Sequence, residues 1–140
     1  MQTPFSYRFY ETVRNLRATL AAGITMVRDA AGADAGIKQA VADGLIPGPR
    51  LQISVTLLSQ TGGHGDGWFP SGRTVEFWPV YPGMPDGLVD GPEAMRRKVR
   101  ELVRAGADVI KVATSGRPCG PGSGRSSTAS TSMTRPSSCC

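Results

Sequence analysis

"TLAAGITMVRD" (residues 19–29) and "LVRAGADVIKV" (residues 102–112) are near-repeats. Each leaves the end of an apolar-periodic segment, passes through Ala-Gly, and enters a run rich in β-branched residues. A glycine just past a helix stops it, and a short β-branched run reads as a strand. A helix-to-strand junction used twice implies parallel strands covered by helices.

The flanking segments continue the alternation. Residues 6–22 read as a helix, with Phe9, Val13, Leu16 and Leu20 at helical spacing and Gly23 at its end. Residues 24–29 read as a strand and 34–44 as a second helix, with Asp34 as N-cap and Gly44 as stop. Pro47 and Pro49 forbid further helix, and 51–58 is a strand. Residues 91–106 read as a third helix with Pro92 in its first turn and Gly106 past its end, and 107–114 as a strand. Between them, residues 60–91 hold eight glycines and four prolines among Trp68, Phe69, Phe77, Trp78 and Tyr81, a long loop with apolar anchors. Loops of that length in a compact domain are usually functional or disordered. A (β/α) barrel and a doubly wound sheet both fit this order. A whole barrel takes about 250 residues, so 140 residues hold only part of one.

Composition narrows the partners. The formal charge is +5, but Arg117, Arg125 and Arg135 lie in a tail without acidic residues, leaving 13 basic against 11 acidic residues in 1–116. That balance gives no signal for specific nucleic-acid binding, and only a non-specific contact through the basic tail remains as a weak reading. Cys119, Cys139 and Cys140 all lie in the tail, without zinc-like spacing, so the body fits a reducing cytoplasm. No leader-like or membrane-spanning run is present, and the expectation is a soluble cytoplasmic protein. Residues 117–140 contain no Leu, Ile, Val, Phe, Trp or Tyr. They divide the chain into a body, 1–116, and a disordered tail, 117–140, whose abrupt onset reads as an out-of-frame extension.

Three features carry possible chemistry. Lys111 interrupts a strand that otherwise reads as buried, sharing a face with Val109 and Ala113. A cation buried there needs a partner or chemical modification. As a strand-end residue it fits a Schiff-base amine, a phosphate ligand, a metal-bridging carbamate, or simply a side chain reaching solvent. "QTGGHGDG" (60–67) follows the second predicted strand of this stretch, and His64 and Asp66 are its candidate base or ligand groups. A lone histidine in a glycine-rich loop is more often structural. Arg96, Arg100 and Arg104 line one face of the third helix, more often a solvated face than an anion site. Asp29 ends the first strand, either pointing into the same mouth or capping the next turn.

"TLAAGITMVRDAAGADAGIKQAVADGLIPGPRLQISVTLLSQTGGHGDG" (19–67) and "DGPEAMRRKVRELVRAGADVIKVATSG" (90–116) closely resemble the metal-dependent amidohydrolase superfamily. The branch indicated is imidazolonepropionase-like and Xaa-Pro dipeptidase-like. "GLIPGPR", "TGGHGD" and "AGADVIK", in that order and spacing, carry the resemblance over roughly residues 4–116. It implies a (β/α)8 TIM barrel in which a metal-activated water hydrolyses amide C–N bonds. Two divalent ions, typically zinc, are held by a His-x-His pair, a carboxylated lysine, two further histidines and an aspartate. By position Lys111 corresponds to that carboxylated lysine, the predicted strands to barrel strands two to four, and His64 and Asp66 to the substrate mouth. The substrate class implied is a small amide, a dipeptide with C-terminal proline or a cyclic amide.

His64 is the only histidine, whereas the dinuclear centre needs four. The expectation is therefore a truncated fragment, a partial barrel of strands two to four with their helices, inactive by itself and binding no metals. Its unpaired sheet edges predict self-association. The rival is a small stand-alone α/β module that binds a ligand through the aromatic loop or an anion through the basic helix.

Overall fold

The structure, a computed structural model, describes residues 3–77 and 80–115; Trp78 and the expected tail lie outside the described residues. Chain order is α1 (Tyr7–Ala21), β1 (Met26–Asp29), α2 (Ala35–Ala42), β2 (Arg50–Ile53), β3 (Leu57–Leu58), α3 (Pro92–Arg104) and β4 (Lys111–Val112). The helix limits follow from local chemistry. The Ile37 amide donates to Asp34 Oδ1 at 2.8 Å, capping α2. Pro92 opens α3, and Gly106, at φ 94°, lets the amide of Ala107 return to Leu102 O at 3.0 Å. Among the described residues no helix is long and apolar enough to cross a membrane.

β1 pairs in parallel with β2, from Met26 beside Arg50 to Asp29 beside Ile53. β3 pairs in parallel with β4, with Leu57 beside Lys111. The amides of Asp108 and Val109 both donate to Ile53 O, so the start of the last strand segment also reaches β2. The strands thus lie side by side in chain order, as in a barrel arc or one wing of a doubly wound sheet, and among the described residues no closed barrel forms.

Two expectations about the strands need correction. The 51–58 segment is not continuous. It breaks at Ser54–Thr56, where Val55 adopts φ 66° and the Thr56 amide donates to Ser54 O at 2.8 Å. The 107–114 segment keeps regular pairing only at Lys111–Val112. Lys111 is exposed, not buried. Ahead of the break the alternation holds: Leu51 and Ile53 are buried toward the helices, and in the last strand segment Ile110 packs against the core. On the opposite face Met26, Arg28, Arg50 and Lys111 are all exposed.

The core lies between the sheet and the helices. Ile53, Val55, Leu58 and Leu102 are fully buried, joined by Met84 and Val89 from the long loop. Each such side chain contributes about 1.5–3 kcal/mol of burial. The loop is closed at its base. The Ser59 amide donates to Gly87 O, the Val89 amide to Ser59 O, and Gly87 lies so close that a Cβ there would overlap Leu57 O. Its aromatics were expected to be anchors, yet Trp68, Phe69 and Phe77 are exposed. Tyr81 is the aromatic that anchors: its ring meets Phe5 and Phe9 edge-on at 5.1 and 6.3 Å, and its hydroxyl donates to Asp34 Oδ2 at 2.8 Å.

Candidate functional site

In a parallel β/α arrangement, functional side chains gather beyond the C-terminal ends of the strands. Here that edge holds Lys111, the "QTGGHGDG" loop and Asp29. The loop is joined to the end of β4: the His64 amide donates to Ser115 O at 3.1 Å. This brings His64 and the Lys111 strand to one edge. The His64 and Lys111 side chains are both exposed.

The loop glycines have a steric role. The Gly65 amide donates to Ser59 Oγ at 3.0 Å, and a Cβ at Gly63 would overlap that same oxygen. Asp66 is committed to backbone: its two oxygens accept from the amides of Gly62 at 2.7 Å and Trp68 at 3.0 Å. Thr61 closes the far side of the loop on Asp90 through its hydroxyl at 2.5 Å and its amide at 3.0 Å. The hydroxyl bond, and then the amide bond, hold the Asp90 carboxyl below the ordinary carboxylate range. Beyond β3 lies a cavity of about 280 Å³ lined by Thr56, Leu57, Asp66, Phe77, Met84 and Asp86.

Asp29 caps the turn after β1, accepting from the Ala33 amide at 3.1 Å. Arg96, Arg100 and Arg104 are exposed on α3, and Arg96 pairs with Glu93 one turn earlier. Sequence reasoning missed Asp108. Its carboxylate accepts from Lys38 Nζ at 2.6 Å and the Ile53 amide at 3.0 Å, tying α2 to the central strand. The Lys38 hydrogen bond, followed by the Ile53 amide, lowers its pKa. An aspartate directly after Ala-Gly-Ala at a strand start was the available signal.

A dinuclear metal centre needs a convergent set of ligands. Among the described residues no three His, Cys, Asp or Glu side chains stand close enough to hold an ion. Lys111 stands on an open face, and Asp66 spends its oxygens on the loop. The described residues do not fit a complete metal centre.

Comparison with known proteins places this arrangement. The amidohydrolase family pattern matches residues 4–123, ending inside the segment that the sequence reading assigns to the tail. Ochratoxinase from Aspergillus niger is 42% identical over 102 residues, which cover 67% of this chain and 21% of that enzyme. A crystal structure of an amidohydrolase superposes with TM-score 0.69 at 42% identity, over 79% of this chain and 28% of its own. A prolidase solved with N-methylphosphonate-L-proline gives TM-score 0.65 at 40% identity, over 79% of this chain and 27% of its own. The chain therefore spans about a fifth of the curated relative's length and just over a quarter of these solved chains. The family is one of TIM barrels, and the described residues form a small α/β unit of parallel strands. Matched over most of its length, the chain belongs to the amidohydrolase family.

Proposed function

We propose that residues 1–116 form the second to fourth β/α units of a cytoplasmic enzyme that hydrolyses amide C–N bonds in small substrates. Lys111, as its carbamate, would be one ligand to a pair of divalent ions, zinc being the natural choice. His64 and Asp66 would lie in the loop at the substrate mouth. The observation that carries this reading is the link from the His64 amide to Ser115 O, which fixes the glycine loop beside the Lys111 strand. The likeness to a prolidase that binds N-methylphosphonate-L-proline favours a dipeptide with C-terminal proline as substrate class. On this reading the chain alone is inactive, because a carbamate on an open strand has no further ligands to share ions with.

The reading is tested by transplantation. Residues 4–115 replace the matching segment of that prolidase, and Xaa-Pro hydrolysis is followed with zinc present. The hybrid is expected to retain activity, and Lys111→Ala in it to lose about a hundredfold or more. The isolated chain should show none. Full activity in the Lys111→Ala hybrid, or turnover by the isolated chain, overturns the assignment.

A further inference from the structure

In an Asp-Gly pair the side-chain carboxyl meets the next backbone amide with least hindrance, because glycine has no Cβ in the way. The chain holds four such pairs: Asp43–Gly44, Asp66–Gly67, Asp86–Gly87 and Asp90–Gly91. Local structure occupies the reacting groups of three. The Gly44 amide donates to Val41 O at 3.1 Å, and Asp43 Oδ1 accepts from Gln39 Nε2 at 2.7 Å. Asp66 accepts from two amides at 2.7 and 3.0 Å, and Gly67 is buried so tightly that a Cβ there would overlap Val75 O. Both Asp90 oxygens accept from Thr61, which favours the ionised carboxylate, a form with no hydroxyl to lose. Asp86 is different. It is exposed between the buried Met84 and Val89, and its carboxyl makes one long bond, accepting from the Leu88 amide at 3.3 Å. A bond to the amide two residues on folds an aspartate carboxyl over the amide between them. That amide belongs to Gly87, and among the described residues it donates to no acceptor.

The geometry points to Asp86–Gly87 as a site of spontaneous backbone isomerisation. The Gly87 nitrogen attacks Asp86 Cγ, a C–N bond forms, and the carboxyl hydroxyl departs as water with the amide proton. Water then opens the five-membered succinimide. Attack at Cγ restores aspartate. Attack at the former backbone carbonyl leaves Gly87 joined through Cβ and Cγ, with a free α-carboxylate. No atom is gained or lost overall, and nothing is oxidised or reduced. The new linkage adds one carbon, about 1.5 Å, to the main chain. Gly87 has no room for that shift: a Cβ there would overlap Leu57 O, and Gly87 O accepts the Ser59 amide at 2.9 Å. Isomerisation therefore opens the base of the long loop, next to Leu57 and the Lys111 strand.

Ageing the full chain in heavy-oxygen water at neutral pH, folded and in urea, tests this. Each opening of a succinimide places a solvent oxygen in the chain, so mass spectrometry of the peptides carrying the four sites reads the reaction, and enzymatic methylation of isoaspartate reads its product. In the folded chain both signals should gather at Asp86 ahead of the other three sites, and in urea that lead should vanish. Asp86→Glu, whose imide would be a six-membered ring, should lose both signals there. In the isoaspartyl chain, amide exchange at Ser59 should quicken by about fivefold or more, the loss of one net hydrogen bond, with β1 and β2 unchanged. Another site in the lead, the same ranking in urea, or no label at Asp86 overturns the site. An unmoved Ser59 amide in the isoaspartyl chain overturns its effect on the loop.

Discussion

Replacing Tyr81 by Phe removes a single oxygen from the joint that holds the long loop to α1. The hydroxyl donates to Asp34 Oδ2 at 2.8 Å, and the ring lies against Phe5 and Phe9 with the Arg8 guanidinium 5.3 Å from its centroid. Burial, then the Asp34 hydrogen bond and the Asp34 charge, push the phenol from 10.0 up to about 12, against the opposing effect of Arg8. At full value a shift of that size corresponds to about 2.7 kcal/mol. Tyr81 is half-buried, and solvent screening reduces the effect to about 1 kcal/mol, within the range of one net hydrogen bond. The folded pKa lies above the unfolded one, so this stabilisation is whole below pH about 10 and is lost as pH rises toward 12. Tyr81→Phe should therefore cost about 1 kcal/mol at neutral pH. Tyr81→Ala should cost about 3, because two aromatic pairs and a cation–π contact go as well. Two measurements check this. Phenolate absorbance of the wild-type chain minus that of Tyr81→Phe should titrate near 12. Amide exchange in Tyr81→Phe should quicken across residues 60–91 and stay unchanged in β1 and β2. A difference titration near 10.0, or an unmoved loop, would show that the joint does not form.

Two further substitutions probe the frame around the site. Leu102→Ala removes the fully buried side chain of α3 and should cost about 3–4 kcal/mol in urea unfolding; a cost under about 1 kcal/mol would mean that α3 does not pack as described. Asp108→Asn discharges the partner of Lys38 and the Ile53 amide. The folded pKa of Asp108 is lowered, so its contribution is whole above the ordinary carboxylate range and is lost as pH falls through the lowered value. The exposed pair should be worth under about 1 kcal/mol, and the variant should flatten the acid limb of the stability curve. An unchanged acid limb would remove Asp108 from that role.

What could be read in the sequence was local. Asp34 caps α2, Pro92 opens α3 and Gly106 closes it because each acts on backbone groups within a few residues. The parallel strand order was legible from the repeated Ala-Gly junction. The site was half legible: loop chemistry placed His64 at the strand edge, but not the commitment of Asp66 to its own loop. What failed depended on distant residues. Tyr81 anchors because Phe5, just ahead of α1, and Phe9 within it meet its ring, while Trp68 and Phe69, equally aromatic in the sequence, stay exposed. The apolar residues beside Lys111 left burial and a side chain reaching solvent both open, because burial depends on what covers the open face of the sheet; the side chain is exposed.

The break in the central strand is the least legible feature, and the candidate site depends on it. "LQISVTLL" (51–58) holds no glycine or proline, and a β-branched residue is the poorest choice for a positive φ. Val55 at φ 66° costs about 1–3 kcal/mol. Among the described residues the buried Ser54 hydroxyl beside it finds no hydrogen-bond partner, which adds a cost of similar size. Burial of the Val55 side chain and the bond from the Gly32 amide to Val55 O offset part of this. The turn also shifts the alternation by one residue. Ile53 and Val55 face the core, yet the next core residue is Leu58 rather than Leu57. Leu57 is thereby placed beside Lys111, where a Cβ at Gly65 would meet its Cδ2 at 3.6 Å. The glycine loop rests on Leu57, and the His64 amide reaches Ser115 from there. A regular strand would turn Leu57 toward the helices and leave the loop without that seat, so the strain at Val55 and the proximity of His64 to the Lys111 strand are two aspects of one local structure.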